Sequence, residues 1–277
     1  MGLARLQTSC VIQTGGQPYL IDCGYGTVRG LTEAGIRNGA IQHAFISHLH
    51  DDHTADLAAM LSLRWTATAN PPAATIHGPY GTKAMIEGAI AFFKGNTEIR
   101  SVDEGRTVKP ESIFRGEDVS APKITEVFRD ERVRVQAIEN AHFPERAKEK
   151  MPYRSLAYRF NMPDRTIVIS GDTAYSKNLV ELAQGADLFV CEAMSMAQHN
   201  QLGATNRGAA ANTESIGRHV LETHSSTEEV GQMAAEAKVK AVVLYHLLPA
   251  VPPRGGPEDP FTADVRKFFS GEIIVDR

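Results

Sequence analysis

The feature that most constrains this chain is a hexapeptide, residues 48–53, which reads His-Leu-His-Asp-Asp-His. It follows a short apolar stretch predicted as a strand and precedes an amphipathic segment predicted as a helix over 54–67. Successive side chains of an extended segment point to opposite sides, so the first two histidines can point to the same side of such a turn. The last Asp and the last His can approach that side from the start of the helix. Imidazole and carboxylate are the ligands that zinc and similar divalent ions prefer. A helix N-cap needs only one such residue, so the hexapeptide predicts a metal site.

Further ligand-type residues stand at the ends of apolar runs elsewhere in the chain. His142 follows one such run, Asp172 lies in an Ile-Ser-Gly-Asp-Thr sequence, and His246 ends a run of aliphatic residues. Asp22 lies near the start, in Ile-Asp-Cys-Gly. Together with the hexapeptide, and in this order, these motifs resemble the metallo-β-lactamase superfamily of binuclear metal hydrolases. The resemblance implies an α/β fold of the four-layer αβ/βα sandwich type.

The resemblance also implies a ligand set for two divalent metal ions. Zinc is the favoured metal, with iron or manganese as alternatives, because nitrogen and oxygen sites discriminate weakly among these ions. Asp172 would bridge the two ions, and Asp22 would orient a ligand or its loop without binding metal. The first ion would be held by His48, His50 and His142, and the second by Asp52, His53 and His246.

His224 is a further candidate, and with Asp52 it is the residue assigned a catalytic role. His224 precedes a helix predicted over Ser225–Lys238, with a serine as N-cap and Glu228 in the capping-box position. From this local pattern alone, His224 would be a structural residue at the start of the helix. Its place before the last ligand resembles that of a histidine in the phosphodiesterase and arylsulfatase branches of the superfamily. There a histidinium would protonate or hydrogen-bond the departing oxygen. No substrate-binding residue can be assigned.

The leading hypothesis is a binuclear hydrolase that cleaves phosphodiesters, phosphotriesters or aryl sulfates of small molecules by metal-bound hydroxide. One alternative is a lactonase or carboxylic esterase, because the same hydroxide can attack a carbonyl. A second is a tRNA 3′-processing endonuclease, which the acidic charge and the lack of a basic arm disfavour. A non-catalytic metal-binding or redox module is a third, from a different class.

Composition sets the remaining expectations. The 277 residues carry a formal net charge of −4 and are 42% hydrophobic, typical of an ordinary globular chain. The acidic balance argues against a nucleic-acid partner, and no apolar run reaches the length of a membrane span. We expect a single domain over residues 1–277, with a lid or arm over 194–216. We expect a cytoplasmic location or a processed precursor, and either a monomer or a homodimer.

A coarse pass along the chain predicts hairpins, strand–helix units and one region without clear periodicity. The first hairpin is centred on Gly15-Gly16. Residues 94–123 read as a connecting region with short strands. Three cysteines make no disulfide framework; a Cys10–Cys23 bridge is conceivable, but buried thiols are favoured. Trp65 is predicted to pack in a core.

Overall fold

The computed structural model describes residues 6–197, 199, 219–248 and 259–276. The chain divides into two compact units. The first, Leu6–Ser120, is called the N-terminal unit below. The second begins at Ala121 and is called the C-terminal unit. The prediction that one domain spans the whole chain stays a prediction. Most of the predicted lid, 194–216, lies outside the described residues.

The N-terminal unit is built on a five-stranded sheet in the order β1-β2-β3-β4-β5. The predicted first hairpin is confirmed, since β1 and β2 pair antiparallel with Thr14 opposite Gln17. The pairs β2–β3, β3–β4 and β4–β5 are parallel. The strands are β1 (Cys10–Thr14), β2 (Gln17–Ile21), β3 (His43–Phe45), β4 (Ala74–Gly78) and β5 (Phe114–Asp118).

The two longest helices of this unit bury apolar residues in a core with the strands. Trp65 packs there as predicted, 1% exposed, and its indole N–H donates to the carbonyl of Val108 over 2.9 Å. Burying an aromatic ring of this size contributes on the order of 2–3 kcal/mol. The helices are α1 (Thr27–Glu33), a short 3-10 turn (Asn38–Ala40), α2 (Asp51–Thr54), α3 (Leu57–Ala67), α4 (Thr82–Phe92), α5 (Lys94–Asp103) and α6 (Pro110–Ile113).

Two predictions in this unit were wrong. The helix expected over 54–67 starts at Leu57, because the chain first forms the separate turn α2 within the hexapeptide. The region 94–123, expected to be a connection with short strands, contains the short strand β5 but also helix α5, which was not predicted. None of the α5 residues is buried, so the helix leaves no apolar stripe for a sequence pattern to detect. Charged pairs four residues apart, such as Lys94–Glu98, support it instead.

The C-terminal unit contains a seven-stranded sheet in the order β12-β11-β10-β9-β8-β7-β6. Pairs from β9 to β12 are parallel, and pairs from β6 to β9 are antiparallel. The strands are β6 (Thr125–Arg129), β7 (Arg134–Glu139), β8 (Leu156–Asn161), β9 (Thr166–Ile169), β10 (Leu188–Met194), β11 (Ala241–Leu248) and β12 (Glu272–Val275). The described helices are α7 (Glu145–Lys148), α8 (Lys177–Leu182), α9 (Thr227–Glu236) and α10 (Pro260–Val265).

Helices α8 and α9 pack on the core of this sheet, and both begin at serine caps. Ser176 caps α8, and Ser226 caps α9 in a full capping box with Glu229. The prediction of Glu228 in that box was therefore one residue off, because the true N-cap is the second of the two serines. Such caps contribute about 1 kcal/mol each. The cap of α9 fixes where the chain enters the helix, directly after His224.

Two smaller expectations concerned the cysteines and membrane-spanning helices. All three cysteines are thiols, and Cys23 and Cys191 are buried, so the thiol interpretation is confirmed over the Cys10–Cys23 bridge. Within the described ranges, no helix has the length and apolar character needed to cross a membrane.

Candidate functional site

The hexapeptide of the N-terminal unit folds as a turn that leads from β3 into α2. His48 and His53 are fully buried, and the imidazole of His50 lies at the entry to the helix. His48 Nε2 lies 2.9 Å from His50 Nδ1, so these two ring nitrogens converge on one point. His53 Nε2 lies 3.9 Å from Asp52 Oδ2. The turn therefore gathers imidazole and carboxylate groups as the sequence pattern predicted.

Asp22 supports this turn from the end of β2. Its backbone adopts φ 57°, a left-handed conformation that aspartate tolerates better than most residues. One carboxylate oxygen accepts the backbone N–H of Ser47 over 2.7 Å. The other accepts the Ser47 hydroxyl over 2.8 Å and lies 2.9 Å from His53 Nδ1. Asp22 thus contacts both the loop and a candidate ligand, the arrangement expected of a residue that orients without binding metal.

In the C-terminal unit, Asp172 lies just after β9, and His246 lies within β11, two residues before its last residue. Asp172 follows β9 after Gly171, whose φ of 60° makes the sharp turn that a side chain would strain. His246 lies where the β10–β11 register shifts, and it adopts φ 44°. Such a bulge re-aims a side chain next to a site. The result places His246 Nε2 3.4 Å from Asp172 Oδ2.

His142 lies in the loop after β7 and is fully buried. Its Nδ1 lies 3.1 Å from the carbonyl oxygen of Thr223, which can only accept a hydrogen bond. The Nδ1 therefore carries the proton, and Nε2 keeps its lone pair for another partner. The carboxamide of Asn140 also accepts the backbone N–H of His142, over 3.2 Å. The loop is thus held in a conformation that presents one nitrogen of the ring.

His224 makes a short contact with Glu192 of β10. His224 Nδ1 and Glu192 Oε2 are 2.7 Å apart, and the Glu192 side chain is fully buried. The other Glu192 oxygen accepts the backbone N–H of Thr173. Burial alone would lower the pKa of His224, but the facing Glu192 carboxylate raises it above its ordinary value, and Asp172 adds to the rise. His224 is therefore a buried imidazole that favours its protonated form.

Glu192 and two neighbours of the assigned residues were not predicted from the sequence. A carboxylate inside the otherwise apolar strand β10 was the available signal, because buried glutamates occur almost only when paired. Ser47 gave no such signal, because a serine before the hexapeptide does not by itself indicate a function. His219, for which the sequence indicates no role, lies with its ring 6.0 Å from that of His142. That proximity depends on the fold, and no spacing in the sequence indicates it.

The donor chemistry of both units fits divalent metal ions. In the C-terminal unit, Asp172, Glu192, His224 and His246 each offer a ligand atom, and these atoms all lie within 4.8 Å of one another. The N-terminal unit offers the converging nitrogens of the hexapeptide. Imidazole nitrogen and carboxylate oxygen are the ligand types of zinc sites, and buried groups of this kind are costly without a partner.

Comparison with known proteins gives a consistent result. Ribonuclease Z of Mycobacterium bovis (strain BCG / Pasteur 1173P2) is 25% identical over 273 residues, covering 98% of this chain and 89% of that protein. The metallo-beta-lactamase fold protein YhfI from Bacillus subtilis superposes with a TM-score of 0.67 at 18% identity, covering 100% and 91% of the two chains. Human tRNase Z, short form, superposes at 0.60 with 22% identity, covering 87% and 86%. The last two likenesses concern the fold.

These relatives overturn one expectation. A small-molecule ester was expected as the substrate and a nucleic-acid partner was disfavoured; this was wrong, because the curated relatives that match nearly the whole chain are named ribonuclease Z. The error came from giving net charge too much weight, since an overall charge of −4 says little about one local surface. The names of these relatives mention neither aryl sulfates nor phosphotriesters.

The family itself is shown by a direct match. A family model described as the Beta-lactamase superfamily domain matches residues 18–247, which include every candidate site residue. The predicted fold class is confirmed by this match and by the structural likeness to YhfI. The chain therefore belongs to the metallo-β-lactamase superfamily and is a metal-dependent hydrolase of that family.

Proposed function

We propose that this protein is an endoribonuclease that hydrolyses phosphodiester bonds in structured RNA, with precursor tRNA as the substrate class. The observation that carries the proposal is the buried Glu192–His224 pair, 2.7 Å apart, beside Asp172 and His246. The ribonuclease names of relatives that match 98% of the chain support the same choice of bond.

The metal ligands remain those that the sequence indicated. We propose two divalent ions, with zinc favoured. Bound there, such ions would lower the pKa of water so that it becomes a strong nucleophile at neutral pH, and would neutralise charge on the phosphate oxygens. Glu192 and His224 are better assigned to proton transfer than to ligation, because both Glu192 oxygens already accept hydrogen bonds within the unit. The proposed ligands are His48, His50, Asp52, His53, His142, Asp172 and His246.

RNA hydrolysis needs a proton donor for the leaving group. The departing oxygen belongs to a ribose hydroxyl, a very weak acid, so its departure as a bare alkoxide is slow. A positioned acid contributes about 10²- to 10⁴-fold to such a step. His224 has the properties this role requires: its protonated form is stabilised by Glu192, and its Nδ1 is fixed by that contact. The Thr173 N–H in turn holds Glu192 in place.

The acidic chain has a local surface that can accept RNA. In the C-terminal unit, the segment 145–154 carries four basic side chains close in sequence to His142. Three of them form ion pairs; in the first two the carboxylate is exposed, and such pairs contribute about 0–1 kcal/mol, so phosphate groups can displace those carboxylates. The pairs are Arg146 with Glu222, Lys148 with Glu145, and Arg154 with Glu139.

The test is cleavage of a precursor tRNA that carries a 3′ trailer, by metal-replete and chelator-stripped protein in parallel. We expect one cut that releases the 3′ trailer at the end of the acceptor stem. Cutting should be lost when the metal is removed by chelator and should recover with added zinc. A nitrophenyl phosphodiester serves as the control for an intact metal centre. If that ester is hydrolysed while the precursor stays intact at every salt concentration, the hydrolase assignment stands and the RNA substrate is rejected.

A further inference from the structure

The Ser47 hydroxyl occupies a crowded position in the N-terminal unit. Ser47 is fully buried, and its Oγ lies within hydrogen-bond distance of three side chains. The distances are 2.8 Å to Asp22 Oδ2, 3.1 Å to His48 Nδ1 and 3.3 Å to His53 Nδ1. A hydroxyl has one proton to donate and two lone pairs that accept. Three contacts therefore use its full capacity, and the direction of each can be deduced.

The carboxylate fixes the first direction. A carboxylate can only accept, so the 2.8 Å contact with Asp22 requires that Ser47 donate its single proton there. If the proton pointed at a histidine instead, lone pairs of the two oxygens would face each other at that distance. Both imidazole contacts must then be donated by the rings. Nδ1 of His48 carries a proton, and so does Nδ1 of His53, which also lies 2.9 Å from Asp22 Oδ2.

We propose that Ser47 is a positioning residue that sets the tautomer of His48 and, together with Asp22, that of His53. In both rings Nε2 is then left unprotonated. These are the nitrogens that face other ligand-type groups: His48 Nε2 lies 2.9 Å from His50 Nδ1, and His53 Nε2 lies 3.9 Å from Asp52 Oδ2. The inference rests on the proposed metal ligands and is independent of the choice of RNA as substrate.

One serine thus serves two histidines five residues apart in the chain. Without it, the neutral His48 ring would be free to exchange between two tautomers, one of which presents an N–H where a metal needs a lone pair, while His53 would keep only its contact with Asp22. Fixing the tautomer before the metal arrives removes that cost from binding. Groups in this supporting position typically change metal affinity by about 10- to 100-fold when removed.

The first experiment reads the tautomers directly in metal-free protein. Two-bond correlation NMR on protein with ¹⁵N-labelled histidine shows which ring nitrogen bears the proton. We expect protonated Nδ1 and bare Nε2 for His48 and His53 in the wild-type protein, and mixed tautomers for His48 in Ser47→Ala. A wild-type spectrum with the proton on His48 Nε2 overturns the proposal, whether or not the variant folds.

The second experiment measures zinc affinity by competition with a chromogenic chelator. Ser47→Ala should lose about 10-fold or more in affinity, and Ser47→Thr, which keeps the hydroxyl, should recover most of it. Thr82→Val is the matched control, because it removes another fully buried hydroxyl of the same unit, which donates to the Pro79 carbonyl over 2.8 Å. Equal affinities for wild type and Ser47→Ala overturn the proposal, as does an equal loss in Thr82→Val. RNA cleavage enters neither readout.

Discussion

Two buried histidines of this protein face a glutamate at similar distance, yet their pKa values move in opposite directions. In the C-terminal unit, His224 Nδ1 lies 2.7 Å from Glu192, and the pKa of His224 is raised. In the N-terminal unit, His77 Nδ1 lies 3.1 Å from Glu117, and burial lowers the pKa of His77 to about 4. A histidine–glutamate contact therefore does not by itself make a proton donor.

The surroundings of each pair explain the difference. The Glu192 side chain is 0% exposed, so its charge acts undamped by water, and Asp172 adds a second negative charge near His224. The Glu117 side chain is 35% exposed, so solvent screens it. His77 also faces His43 and Arg115, whose positive charge opposes protonation, and its ring stacks on Phe45. The first pair suits catalysis, and the second keeps a neutral ring in a core.

The largest expected effect comes from removing the proposed proton donor. His224→Ala should keep the metal content but lose about 10²- to 10⁴-fold in turnover of precursor tRNA. Turnover of a nitrophenyl phosphodiester should fall far less, because nitrophenolate leaves without a proton. Steady-state rates on both substrates, with metal content measured in the same samples, check this. An equal loss on the two substrates would remove the acid role.

A smaller loss should follow when only the charge behind His224 is removed. Glu192→Gln keeps a side chain of the same size, but it no longer stabilises the protonated imidazole, so RNA turnover should fall by about 10- to 100-fold. The nitrophenyl ester again reports on the rest of the site. Glu236→Gln is the matched control, since Glu236 accepts a hydrogen bond from the Tyr175 hydroxyl over 2.7 Å in the same unit, away from the basic segment 145–154. The comparison fails if Glu236→Gln costs as much RNA turnover as Glu192→Gln.

The smallest effect concerns stability and the other pair. His77 has a pKa near 4 when folded and an ordinary value of 6.5. Between these values the unfolded chain binds the proton and the folded chain does not, so stability falls as the pH drops. From pH 7 to pH 5 the loss from this group is at most about 2 kcal/mol. Denaturant unfolding of metal-free protein should show it, and His77→Gln should flatten the pH dependence relative to wild type. Parallel curves for the two proteins would contradict the assignment.

The sequence was informative wherever function is carried by residues close together in the chain. The residue types of the hexapeptide indicate metal binding directly. The apolar runs before His142, Asp172 and His246 predicted the strands in which or after which these residues lie. Helix α5 escaped because it buries nothing, so periodicity had no pattern to detect. The substrate class was misjudged because net charge is a property of the whole chain, whereas recognition is local.

What the sequence by itself determined is the set of ligand-type residues, their order, and hence the superfamily and its hydrolytic chemistry. Only the tertiary structure decided how they are supported. Glu192 and His224 stand 32 residues apart and meet through long-range packing of the chain. The parallel β10–β11 register, with its bulge at His246, fixes another part of the same site. The role proposed for Ser47 follows only from the fold, which places Asp22 beside its hydroxyl. Burial and the direction of a hydrogen bond depend on every group that packs around an atom, and those groups are brought together by the fold.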